Sequence, residues 1–233
     1  MPNLDMLSEE EWQAVRLTLE VAARAVLLTL PFSLILAFVL ARLRFPGRAV
    51  LDTLVHLPMV LPPVVVGWLL LLLFGRHGPI GAWLDGWFGI RLVFTKNGAT
   101  LACAVMILPL MLRAIRQSLD AVDPGLEQAA RTLGAGPLDR LLTITLPLAA
   151  PGVLVGAVVG MAASLGEFGA VITFAANIPG ETQTLPLAIY SALQSPGGDE
   201  VAARLSLMSI ALAIMFLFAA DALGRRLRAR IGR

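Results

Sequence analysis

Charges divide this chain into long uncharged runs, and those runs limit what it can fold into. Seventeen uncharged residues separate Arg24 from Arg42, 23 separate Asp52 from Arg76, and 16 separate Lys96 from Arg113. A further 26 lie between Arg140 and Glu167, and 16 between Arg204 and Asp221. A helix crossing the hydrocarbon core of a bilayer needs about 20 apolar residues, with a range of about 17–25. The two shorter runs suffice because flanking Arg and Lys side chains reach the headgroups with their heads and leave their stems in lipid. The runs are continuous rather than alternating, which disfavours a strand barrel. The expected fold is therefore all-α, a polytopic membrane protein with about five transmembrane helices, near 17–41, 52–75, 97–117, 146–170 and 203–223.

Composition excludes several functions. Lys96 is the only lysine and Cys103 the only cysteine. A disulfide framework is impossible, and a Walker A loop, which needs Gly-Lys-Ser/Thr, cannot be built on Thr95-Lys96-Asn97. The net charge is only +2 and mean hydropathy is +0.81, so no basic face for nucleic acid is expected and the main surroundings are lipid. His56 and His77, the two histidines, have no metal-ligating partner at helical spacing, and neither GxSxG nor HExxH occurs. No catalytic residue, metal or cofactor is assigned.

Orientation follows from arginine. With five spans, one side carries Arg42, Arg44, Arg48, Arg113, Arg116, Arg131, Arg140, Arg225, Arg226, Arg228, Arg230 and Arg233. The other carries only Arg16, Arg24, Arg76, Arg91, Lys96 and Arg204. The positive-inside rule puts the first set in the cytoplasm, so the N-terminus is expected outside and the C-terminus inside. Residues 1–16 then form an extracytoplasmic segment, 17–223 the membrane domain, and 224–233 a basic cytoplasmic tail. Loops 76–96 and 171–202 face outward. Glu9, Glu10 and Glu11 stand where a signal peptide would carry basic residues, so none is expected. Ser8 and Glu11 read as a capping box at the start of the first helix, and Glu20 and Arg24 can pair one turn apart.

Within the spans, Pro31, Pro58, Pro62, Pro63 and Pro109 break backbone hydrogen bonds, which suits helices that line a conduit. Gly152, Gly156 and Gly160 repeat every fourth residue and admit a close helix, within the chain or across a homodimer. Glu167 is the one acid expected deep in a helix, near the outer end of the fourth span. A gate residue or a carboxylate at the wet rim is favoured there over a proton relay. Ser164, Phe168, Thr173, Pro62 and Pro63 complete the candidate gate and pathway set. Thr143 and Thr182 add possible donors to an anion.

Residues 118–145 are the most informative segment. Asp123-Pro124 opens a helix, Leu126-Glu127-Gln128-Ala129-Ala130-Arg131-Thr132-Leu133 continues it, and Gly134-Ala135-Gly136-Pro137 ends it. A second short helix runs from Leu138 toward Thr145 and feeds Leu146-Pro147. The small residues make a compact cytoplasmic knob for a partner groove.

This segment resembles the EAA loop of ABC importer permeases: with Gly134 as the fixed glycine, Ile144 and Leu146-Pro147 follow in register. Gln128-Ala129-Ala130 fill the EAA slot, so glutamine replaces the family glutamate and Glu127 stands one residue earlier. One residue is about 100° of helix rotation, so Glu127 cannot take over that slot. His56-Leu57-Pro58-Met59-Val60-Leu61-Pro62-Pro63, Leu165-Gly166-Glu167-Phe168-Gly169-Ala170 and Asn177-Ile178-Pro179-Gly180-Glu181-Thr182-Gln183-Thr184-Leu185-Pro186 are similar to molybdate permeases, with sulfate and tungstate permeases close behind.

The resemblance implies a type I ABC importer permease in the cell (inner) membrane. It implies a homodimer, two ATP-binding ABC subunits docked on the loop through Glu127, Gln128, Ala129, Ala130, Leu133, Gly134, Ile144 and Pro147, and an extracytoplasmic oxyanion-binding protein. ATP hydrolysis is expected on the partner chains, and with the chain ending at Arg233 no regulatory domain is expected on this one. A proton-coupled carrier would explain Glu167 but not the EAA register. A channel would not need a docking knob, and a membrane enzyme lacks a nucleophile–base or metal set.

Overall fold

The computed structural model describes residues 8–231, with side chains as far as Arg225. Among the described residues every regular element is helical: α1 Glu9–Arg42, α2 Arg48–Val60, α3 Pro63–Phe74, α4 Pro79–Phe88, α5 Lys96–Asp120, α6 Pro124–Thr132, α7 Pro137–Arg140, a π-helical turn Leu141–Thr145, α8 Leu146–Leu165, α9 Gly169–Ala175, α10 Leu185–Leu193 and α11 Asp199–Ile231. Four stretches are long and apolar enough to cross a membrane: 9–42, 96–120, 137–165 and 199–225. A fifth exists only if α2 and α3, bent by 117° at Leu61-Pro62, count as one broken span.

α5 is the centre of the bundle. Its Ala102, Cys103, Ile107, Met111, Leu112 and Ile115 are almost wholly buried, because α1, α8 and α9 all pack on it. Thr95 starts it by accepting the Gly98 N–H, at 3.2 Å. α8 approaches through its glycines: a Cβ at Gly160 would lie 2.9 Å from Met111 Cγ, and Gly156 faces Met111, Ala114 and Ile115. The glycine stripe is therefore consumed by packing inside the chain, not by a seam between copies.

Ion pairs mark the two ends of the membrane layer. At one end Glu20 of α1 binds Arg24 at 2.6 Å and Lys96 of α5 at 2.9 Å. At the other, Arg42 donates to the Leu119 carbonyl at 3.2 Å, and Arg116 pairs with Asp52 at 3.2 Å. Glu20 to Arg42 is about 33 Å of helix, at about 1.5 Å per residue, which matches a hydrocarbon core of about 30 Å.

The structure revises several expected boundaries. The Ser8–Glu11 capping box is present, but α1 then runs unbroken to Arg42, so residue 16 is not a boundary. Residues 1–7 of the N-terminal segment lie outside the described residues. The second span is not straight, because Pro62 and Pro63 lack N–H donors and the chain restarts as a new helix with Pro63 at its first position. The fourth span begins earlier, at Pro137, and stops at Leu165, short of Glu167. Residues 76–96 contain α4, with Trp83, Trp87 and Phe88 exposed, and residues 171–202 contain most of α9 and all of α10 rather than a loop. α11 continues through the basic tail to Ile231; the side chains of Arg226, Arg228 and Arg230, and all of Arg233, lie outside the described residues.

Candidate docking loop and translocation path

The loop between α5 and α8 is built as a projection. Asp123 caps α6 by accepting the Gly125 N–H at 2.8 Å, and Pro124 occupies the first helical turn. α6 is capped at Leu133 and followed by Gly134, whose φ of +88° is open to glycine and strained for most residues. The Ala135 N–H then reaches back to the Ala130 carbonyl at 3.0 Å, which closes the turn. No residue of α6 is buried. Leu133 is 88% exposed, and Leu126, Leu138 and Leu142 are exposed around it. Four exposed leucines on one short segment form an apolar patch in a poor environment for it.

Glu127 and Gln128 are positioned differently, as helical rotation requires. Gln128 and Ala129 are exposed, while Ala130 and Ile144 are half-buried and Pro147 is exposed. Glu127 turns back toward the membrane helices. Its Oε1 pairs with the Arg42 guanidinium at 3.0 Å and accepts from the Thr145 hydroxyl at 2.7 Å. Neither partner was apparent from sequence. In the sequence Arg42 is the charge that ends a span, and Thr145 belongs to a short helix.

A second site forms where two interrupted helices meet. The break before α3 and the break before α9 face each other: a Cβ on Gly169 would lie 2.7 Å from Pro63 Cβ, and one on Gly67 would lie 2.9 Å from the Ala170 carbonyl oxygen. Pro62, Pro63, Glu167, Phe168 and Thr173 thus belong to one locality, although Pro63 and Glu167 are far apart in sequence. Glu167 is not inside a helix, contrary to expectation. It lies between α8 and α9, half-buried, and its Oε1 accepts the Ala170 N–H at 2.9 Å. The break has a simple cause: Gly166 and Gly169 flank the turn and give it little helix propensity. Phe168 packs on Tyr190 with ring centroids 5.3 Å apart.

The hydroxyls proposed to meet an anion are unequal. Thr173 donates to the Gly169 carbonyl at 2.8 Å, and Thr182 to the Ala176 carbonyl at 3.1 Å. Thr143 donates to the Asp139 carbonyl at 2.7 Å on the exposed docking loop, away from the breaks. Ser164 is buried, and its hydroxyl has no hydrogen-bond partner among the described residues. His56, inside α2, faces Asp52, Arg113, Arg116, Gln117 and Asp120 around a cavity of about 940 Å³ at the Arg42 end of the bundle. No group of three or more His, Cys, Asp or Glu suited to a metal occurs among the described residues.

Residues 29–229 match the family described as the binding-protein-dependent transport system inner membrane component. The chain belongs to that family. The permease is 57% identical to the molybdenum transport system permease protein ModB of Escherichia coli K12, over 98% of this chain and 100% of that protein. It is 50% identical to the protein of the same name from Haemophilus influenzae, over 95% of this chain and 97% of that one. It is also 36% identical to the sulfate transport system permease protein CysT of E. coli, over 86% and 72%. Among solved structures, a bacterial alginate ABC transporter bound to its periplasmic protein matches with a TM-score of 0.75 at 19% identity, covering 94% of this chain and 80% of that one. The MetNI methionine ABC transporter matches with a TM-score of 0.67 at 17% identity, covering 95% and 99%. At those identities the structures establish the shared permease fold.

Proposed function

We propose that this permease is the membrane subunit of an ATP-driven importer of molybdate, and that it works as a homodimer. The observation that carries the substrate is the 57% identity to ModB across both whole chains, against 36% and partial coverage for the sulfate permease. The chain has no nucleotide-binding lysine loop, so ATP hydrolysis belongs to a separate subunit. The four exposed leucines of the docking loop are the surface on which that subunit sits. Twelve of the eighteen Arg and Lys residues fall on the docking-loop side, which makes that side cytoplasmic, with the N-terminus outside and an oxyanion-binding protein docking there.

In mechanism, closure of the ATPase pair favours the outward-open permease because the ATPases bind that state more tightly. The paired breaks at Pro62-Pro63 and Glu167-Phe168 are proposed as the gate. Two helix interruptions in contact can reorient without unwinding a whole span, and exposed backbone groups there face protein rather than lipid. A fixed carboxylate in the gate repels a doubly charged oxyanion until the gate opens.

Reconstitution in vesicles with the ATPase subunit and the binding protein tests this reading. ATP-dependent molybdate uptake is expected, with sulfate a weak competitor; uptake of sulfate in preference to molybdate rejects the substrate assignment. Glu167→Gln keeps the acceptor that caps α9 and removes only the charge. It is expected to change the basal or stimulated ATPase rate and to leave uptake indifferent to an imposed pH gradient. Proton-driven uptake without ATP, abolished by Glu167→Gln, would replace the gate with a carrier.

A further inference from the structure

Three helical elements meet at one oxygen atom, and a fourth joins them through Arg42. Glu127 Oε1 forms an ion pair with the Arg42 guanidinium at 3.0 Å and accepts a hydrogen bond from Thr145 Oγ1 at 2.7 Å. The same Arg42 nitrogen donates to the Leu119 carbonyl at 3.2 Å. Glu127 belongs to α6, Arg42 ends α1, Leu119 lies in the last turn of α5, and Thr145 closes the π-helical turn that feeds α8. Apart from this cluster, α6 has little hold on the bundle: none of its residues is buried, and among the described residues Glu127–Arg42 is its one ion pair to a membrane helix. Thr145 is 2% exposed and the side chains of Arg42 and Glu127 are 23% and 24% exposed, so the cluster is partly shielded from water, which strengthens a charge-assisted hydrogen bond.

We infer that Glu127, and not the slot residue Gln128, is the positioning residue that passes movement of the docking loop to the membrane helices. The inference deepens the transporter reading and rests on it. A force applied to α6 at its exposed leucines reaches α1 and α8 through one carboxylate, and both helices pack along α5. The π turn has a part in this. It is a wider, weaker turn than α-helix, of a kind common at functional sites, and it gives the start of α8 freedom to follow Thr145. Gln128 remains on the outer face, free to meet the ATPase. Docking and transmission are thus divided between adjacent residues about 100° apart around the helix.

The experiment uses the complete complex of permease, ATPase and binding protein in vesicles, and measures ATP hydrolysed per molybdate taken up. Glu127→Gln is expected to co-purify with the ATPase in normal amount and to keep its ATPase activity. Its ATP consumption per molybdate is expected to rise at least about fivefold, the lower end of ordinary coupling energies. Arg42→Gln should do the same, and the exchanged pair Arg42→Glu with Glu127→Arg should recover part of the loss. An unchanged ratio overturns the inference. So does loss of the ATPase from Glu127→Gln, which would make Glu127 a docking residue, and so does rescue of Glu127→Gln by Gln128→Glu. Should Glu127→Gln fail to reach the membrane, Thr145→Val decides: it removes the hydroxyl's bond to Glu127, and its longer one to the Arg140 carbonyl, at nearly constant volume, and a raised ratio supports transmission while an unchanged one rejects it. Failure of the unmodified complex to import molybdate with ATP would instead reject the transporter reading.

Discussion

A methyl group at position 67 has almost no room: it would stand 2.7 Å from Thr173 Cβ and 2.9 Å from the Ala170 carbonyl oxygen. Backbone cannot yield there without separating α3 from α9, so Gly67→Ala is expected to cost about 1–3 kcal/mol, the usual penalty of overpacking. Gly86 supplies the contrast. It sits within α4 with no atom within 4 Å of its would-be Cβ, and Gly86→Ala is expected to be neutral or to stabilise by up to about 1 kcal/mol through helix propensity. Thermal melting of the two variants in detergent distinguishes them, and equal melting temperatures would reject the close α3–α9 contact. Sequence marked neither glycine, because close approach depends on what another helix brings.

The ends of elements carry the polar chemistry of this bundle. Glu11 is the clearest case. One carboxylate oxygen accepts the Ser8 N–H at 2.7 Å and so caps α1, while the other accepts two N–H groups of Arg204, at 2.8 and 3.2 Å, and ties α1 to α11. Its side chain is 5% exposed. Removing one member of so enclosed a pair leaves the other charge poorly solvated. Glu11→Gln is therefore expected to cost about 3 kcal/mol. The double variant with Arg204→Gln is expected to lose less than the sum of the singles, since neither charge is then stranded. Additive losses in denaturation would show that the two residues act apart. The capping half of this arrangement was legible as Ser8-x-x-Glu11, but the ion pair was not, since it joins residues 193 positions apart.

At the scale of the molecule, the permease has one end rich in arginine and one poor in it, with a core the thickness of a bilayer between. A reporter fused after Arg233 is expected to be active in the cytoplasm, as is one inserted at the exposed Gly136 of the docking loop. Activity of both only outside the cytoplasm would invert the proposed orientation. A split result would put a different number of crossings between α7 and the C-terminus. Activity of both only outside is also what a re-entrant α2–α3 would give: the two helices meet at 117°, and without a crossing there Arg42 and Lys96 would fall on the same side, although their levels along α1 and α5 place them at opposite ends.

Sequence alone determined the helical membrane class, the approximate spans, the position of the short-helix turn between α5 and α8 and the rotation that separates Glu127 from Gln128. Each of these follows from local chemistry: the cost of burying charge in hydrocarbon, glycine and proline at turns, and the fixed angle per residue of a helix. Only tertiary structure decided where the interruptions fall in space, that the α8 glycines serve α5 rather than a second copy, and that Arg42 and Thr145 receive Glu127. Those outcomes depend on contacts between segments far apart in the chain. A stretch such as Leu61-Pro62-Pro63 states that a helix must break there, but the direction of the new helix is set by Gly67 and Gly169, which let α3 and α9 come together.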